Sequence, residues 1–125
     1  MDQPLPSPEF LRKILRYKSS SGDLFWRKRP MYMFAQFPNP SSAHAMWNRK
    51  YTQRPALMTG KYGVYRRGCL FLHPHIDRAY PAHRVIWAMV NDVWPDIDDI
   101  VRHKNKYPSD NRITNLTLQK GLKNE

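Results

Sequence analysis

Cysteine occurs once, at Cys69, which excludes an internal disulfide framework and a zinc site built from cysteines alone. No apolar run approaches the roughly 20 residues that a membrane-spanning helix needs. The opening residues MDQPLPSPEF lack the basic start and apolar centre of a secretory signal, so a soluble, cytoplasmic protein is expected. Acidic residues are scarce, at 10 Asp and Glu against 21 Lys and Arg. Internal repeats and low-complexity runs are missing too. What remains, in 125 residues, is 41% hydrophobic and 13% aromatic. A chain of this length buries about two thirds of its unfolded surface, enough for one modest core.

The charge imbalance is the first positive signal. The formal net charge is +11, and it is not confined to a tail. Residues 1–60 carry 10 basic and 3 acidic groups, and residues 61–125 carry 11 and 7. Cations spread through a folding sequence favour a polyanionic partner, because Lys and Arg displace the counterions condensed on phosphate. The plainer alternative is a soluble surface that happens to be cationic. A membrane surface fits less well, since no long basic amphipathic helix is present.

The pattern predicts an α+β chain read as one domain over 1–125, in three stretches. The first, 1–58, holds an N-terminal helix and an irregular segment. Ser7 and Pro8 form a helix-start pair, and Phe10, Leu11, Ile14 and Leu15 follow at helical spacing. SSSG at 19–22 ends that helix, and DLFWRKRP reads as a strand stopped by Pro30. SSAHAMWNRKY predicts a short helix capped by Ser41 or Ser42. In the second stretch, 59–95, two apolar runs around Arg66, Arg67 and Gly68 read as a hairpin, broken at Pro74. A helix then runs through AHRVIWAMVNDVW to Pro95, with Val85, Ile86, Met89 and Val90 toward the core. The third, 96–125, reads as a strand, the polar loop KYPSDNR, a strand end and a last helical stretch.

That third stretch carries the chemistry. His103 lies at a strand end, Asn111 follows eight residues on, and Asn124 twenty-one on, with DNRITNL between. This spacing resembles the HNH endonucleases, in particular their small phage and homing-type branch. YPAHRVIWAMVNDVWP resembles the helix that precedes the motif there, and GDLFWRKRP resembles the branch's opening. The resemblance implies a C-terminal ββα-metal unit that hydrolyses DNA phosphodiester bonds with a divalent cation: Mg²⁺ first, with Mn²⁺ or Ni²⁺ as alternatives. It implies His103 as general base, Asn111 as the residue orienting it, Asn115 as a structural residue of the loop, and Asn124 as the metal ligand. Duplex DNA is the implied partner, in a bacterial or phage-infected cell. Arg102, Lys104, Lys106, Arg112, His83 and Arg84 are the expected nucleic-acid contacts.

One departure bears on the metal. Arg102 stands where most family members carry the Asp that binds the cation, and an Arg repels a cation at that range. Three readings follow. Asn124, water and phosphate hold the metal without a carboxylate, as Mg²⁺ permits. A nearby carboxylate, Asp98, Asp99 or Asp110, substitutes. Or the chain is a weak or inactive HNH-fold binding protein, acting on DNA or on a nucleoprotein such as a host defence complex. Asn124 is also the penultimate residue, so its helix is expected to have no turn beyond it.

Overall fold

Ser7 opens the first helix as a sequence of this kind should. Its Oγ accepts from the Phe10 N–H at 3.1 Å, and Pro8 occupies the first turn, where no donor is lost. In this computed structural model, which describes residues 5–58, 65–70 and 79–121, helix α1 spans Pro8–Ile14. It is shorter than the apolar spacing predicts. Leu15 turns extended and begins strand β1, Leu15–Lys18, because Leu15 has a partner across the sheet in Trp26. The turn at 19–22 leads into β2, Asp23–Trp26, and β3, Pro55–Ala56, completes an antiparallel sheet in the order β1-β2-β3.

Between β2 and β3 lie a 3₁₀ turn, Met31–Phe34, and helix α2, Pro40–Tyr51. The cap of α2 is Asn39, whose side chain accepts from the Ser42 N–H at 3.2 Å, in place of the predicted Ser41 or Ser42. A buried Arg29 ties this region inward. Its guanidinium lies 3.9 Å from the Trp47 ring centre and donates to the Leu70 carbonyl at 2.6 Å. Burial pushes it down to about 9, and the ring face compensates part of the lost hydration.

The expected hairpin turn at Arg66–Gly68 is a strand instead. β4, Arg67–Cys69, pairs antiparallel with β5, Ala79–Pro81. Gly68 packs its backbone against Leu57, where a Cβ would stand 3.0 Å from the Leu57 Cα. Pro74 and the rest of the predicted second run lie outside the described residues. Helix α3, Ala82–Asn91, ends before Val93 and Trp94, because Asp92 takes the left-handed conformation at φ 61°. Val85, Ile86 and Met89 are buried as predicted, but Val90 is 45% exposed.

β6, Ile100–His103, and β7, Leu116–Gln119, form the last antiparallel pair, joined by a loop that ends in a 3₁₀ turn at Ile113–Asn115. The architecture is a small α+β one. Its core gathers Leu11, Ile14, Leu24, Val85, Ile86 and Val101 from every part of the described chain. Arg12 clamps α1 to the end of α3, donating to the Met89 carbonyl at 3.0 Å and to Asp92 at 2.8 Å. Among the described residues no helix is long and apolar enough to cross a membrane.

Candidate active site around His103

The hairpin register sets His103 opposite Leu116, at the mouth of the 104–115 loop. That loop is held by asparagines. Asn115 is buried, and its amide donates to Asn105 Oδ1 at 2.9 Å and to the Asp110 carbonyl at 2.8 Å, while its oxygen accepts from the Asn105 N–H at 3.0 Å. Asn105 in turn donates to Asp110 at 2.7 Å and accepts from the Tyr107 N–H. Asn115 thus staples the loop from inside. The contribution of Asn105 was not apparent from the spacing, although Asn is the residue that supplies such local bonds.

Asn111 is 1% exposed, and its Oδ1 lies 2.7 Å from His103 Nε2. An amide oxygen only accepts, so Nε2 carries the proton and the basic lone pair sits on Nδ1. The support behind Asn111 comes from the other end of the chain. Tyr17 of β1 donates to the Asn111 carbonyl at 2.7 Å, and burial first of all raises its phenol. Gly22, at φ 81°, lies directly against Asn111 and Arg112, and any Cβ there would collide with their backbone.

Two rings flank the imidazole. The Tyr65 ring centre is 5.6 Å from that of His103, and the His83 ring centre 5.2 Å, with Tyr65 and His83 5.1 Å apart. His83 is pushed down to about 4, first by burial and then by His103 and Arg84. It therefore stays neutral beside His103, with a buried Nδ1 that has no hydrogen-bond partner among the described residues. A groove of about 380 Å³ opens over this cluster, lined in part by Tyr65, Arg102, His103, Lys104 and Lys106.

Residues 80–124 match the family model of the HNH endonucleases. The match covers about a third of the chain. No curated protein and no solved structure matches the chain significantly. The HNH segment begins at Tyr80 in β5 and takes in α3, β6, the asparagine loop and β7. Tyr17, Gly22 and Tyr65 all lie outside it.

HNH nucleases generally depend on a divalent metal, which needs free donor side chains. Among the described residues no three His, Cys, Asp or Glu side chains come together. Asp99 is buried and accepts from the Gly121 N–H at 2.9 Å, the Asp96 N–H at 3.1 Å and Lys120 at 3.2 Å; the Gly121 bond is the largest of the causes lowering its pKa. Asp110 is gripped by Arg112 through two 2.8 Å bonds, which hold it down at about 2. Arg102 donates to Gln119 across the hairpin. The described residues of the HNH segment thus do not fit as a metal centre, and Asn124 lies outside them.

The remaining expected contacts divide in two. Lys104 and Lys106 are exposed on the groove, as is Arg102. Arg84 points inward, donating to the carbonyls of Asp99, Asp96 and Pro95 at 2.8, 2.9 and 3.2 Å, where it shapes the turn before β6. The planar fork of Arg112 faces Asp110.

Proposed function

We infer that this protein hydrolyses phosphodiester bonds in duplex DNA, as an endonuclease or nickase, with His103 as general base. The observation that carries the reading is the 2.7 Å bond from His103 Nε2 to a buried Asn111, which fixes the ring with Nδ1 ready to accept. Nδ1 takes a proton from water, the resulting hydroxide attacks phosphorus, and the bond to the leaving oxygen breaks. That oxygen is then protonated by solvent. Negative charge on the phosphoryl oxygens is offset by Arg102, Lys104 and Lys106 along the groove. Asn111 is a positioning residue in this scheme. The neutral His83 and the Tyr65 ring limit rotation of the imidazole without adding a charge that would oppose its protonation.

The test is supercoiled plasmid with Mg²⁺, Mn²⁺ or Ni²⁺, beside EDTA and His103→Ala. Nicked or linear product that falls about 10²–10⁴-fold in rate with His103→Ala supports the base assignment. Product formed at the same rate by His103→Ala refutes it. Loss of product in EDTA supports the metal requirement, with Asn124 the residue to substitute next. One observation favours a second reading: no carboxylate stands free beside His103 among the described residues. An HNH fold that binds DNA or a nucleoprotein without cutting would shift plasmid on a gel and leave it intact with every metal.

A further inference from the structure

The acidic residues are distributed with one long gap. Residues 24–76 contain nine Lys and Arg and no Asp or Glu at all. This stretch lies wholly outside the HNH segment, and it includes α2. Arg27, Lys28, Arg49, Lys50 and Arg54 are exposed, and among the described residues none of them stands in an ion pair.

The fold holds the segment after β2 against α2, while the Arg27 guanidinium turns to the Leu15 carbonyl of β1 at 3.0 Å. Asn48 of α2 clasps the backbone of Arg29, accepting from its N–H at 2.8 Å and donating to its carbonyl at 2.9 Å. His44 donates to the same carbonyl at 2.9 Å. Lys28 therefore runs alongside α2, and Arg54 is joined to the end of β2 through its carbonyl, which accepts from the Trp26 N–H at 2.9 Å. The last turn of α2 adds Arg49 and Lys50. Beside the charges stand apolar side chains that soluble surfaces ordinarily cover. Tyr32 is 64% exposed and Met46 62%, and Phe37 and Met46 line a groove of about 310 Å³ with Lys50 at its edge.

We propose that this α2 face is a second nucleic-acid contact, gripping duplex DNA beyond the phosphate presented to His103. The proposal rests on the nuclease reading above, which already places duplex at the chain. Phosphate meets Lys28, Arg49, Lys50 and Arg54, and Tyr32 and Met46 press on sugar or on unstacked base edges, the use to which exposed aromatic and thioether groups are put in DNA-binding proteins. A protein partner would also meet the apolar groove. Cations arrayed over the segment after β2, over α2 and over the 52–54 turn, in a stretch with no Asp or Glu from 24 to 76, match an extended polyanion better. The face is coupled to the His103 cluster. Arg29, packed on Trp47, donates to the carbonyl of Leu70, which directly follows β4, the partner of the strand that runs into α3 and His83.

Fluorescence anisotropy on a 30-bp duplex, in EDTA so that it is not cut, tests this in the full chain. Removing two phosphate contacts with Arg49→Ala/Lys50→Ala lowers the salt slope by about 2. Between 50 and 200 mM salt, wild-type affinity then falls roughly 12-fold further than that of the variant. Tyr32→Ser/Met46→Ser weakens binding about 10-fold at fixed salt. Arg49→Lys/Lys50→Arg, which keeps both charges, retains the wild-type slope. Lys13→Ala, on α1, serves as the control for charge loss elsewhere. Unchanged binding by both face variants, beside a wild type that binds, overturns the proposal, leaves the nuclease reading intact and gives the face to a protein. An equal loss in Lys13→Ala overturns it as well. A wild type that neither binds nor cuts duplex removes both.

Discussion

Acid should destabilise this protein through His83 in a window that can be worked out in advance. Its imidazole is half-buried against Tyr65 and His103 and is held at about 4, against 6.5 when unfolded. A base whose folded pKa is depressed is neutral in the native state while the unfolded chain takes up the proton. The stability it contributes is therefore complete above about 6.5 and is lost as pH falls toward 4. A gap of about 2.5 units at 1.36 kcal/mol per unit corresponds to about 3 kcal/mol between pH 7.5 and pH 4. His83→Phe keeps an apolar ring and removes the titration. Urea unfolding of both proteins from pH 7.5 to 4 should show the wild type losing about 3 kcal/mol more than the variant. Parallel curves would refute the claim that burial keeps His83 neutral. Asp110 does not confuse the result, because its depression from 3.8 to about 2 places its loss below pH 4.

Other substitutions test the loop and its backing. Tyr17→Phe removes the 2.7 Å bond to the Asn111 carbonyl and should cost about 1 kcal/mol in chemical unfolding, with cleavage rate falling while DNA affinity stays. Gly22→Ala sets a Cβ against the Asn111 backbone and puts Ala at positive φ; turnover should fall at least 10-fold, and an unchanged rate would show that the turn does not seat Asn111. Asn115→Ala strips three hydrogen bonds from the loop and should cost about 1–3 kcal/mol by thermal melting, with faster hydrogen exchange at the Asn105 amide.

How much was legible depended on how local each signal was. The strand end at His103 and the loop after it lie within one stretch, so their spacing could be read. The start of α1 was equally local, resting on Ser7 and Pro8. The switch at Leu15 was not. Phe10, Leu11, Ile14 and Leu15 suit a helix face, and a partner strand eleven residues on decides the matter. Arg66–Gly68 has turn composition, yet the pairing of Arg67–Cys69 with Ala79–Pro81 makes a strand there. Val90 was assigned to the core by period alone, and the left-handed Asp92 ends the helix just beyond it. At the site, Arg84 and Arg112 looked like phosphate contacts by residue type. Their partners, carbonyls before β6 and the carboxylate of Asp110, appear only once the turns are built. The backing of Asn111 by Tyr17 and Gly22 spans about ninety residues and leaves no local trace.

The wall behind Asn111 has a consequence for what counts as the working unit. Sequence similarity draws a boundary at residue 80, but the residue that holds the imidazole has its backbone seated on a tyrosine at 17 and a glycine at 22. Residues 80–124, transplanted alone onto another scaffold, would carry the motif and leave its retaining wall behind. Conversely, under the proposed nuclease function, drift in the N-terminal hairpin would tune or extinguish cleavage with every residue of the motif intact.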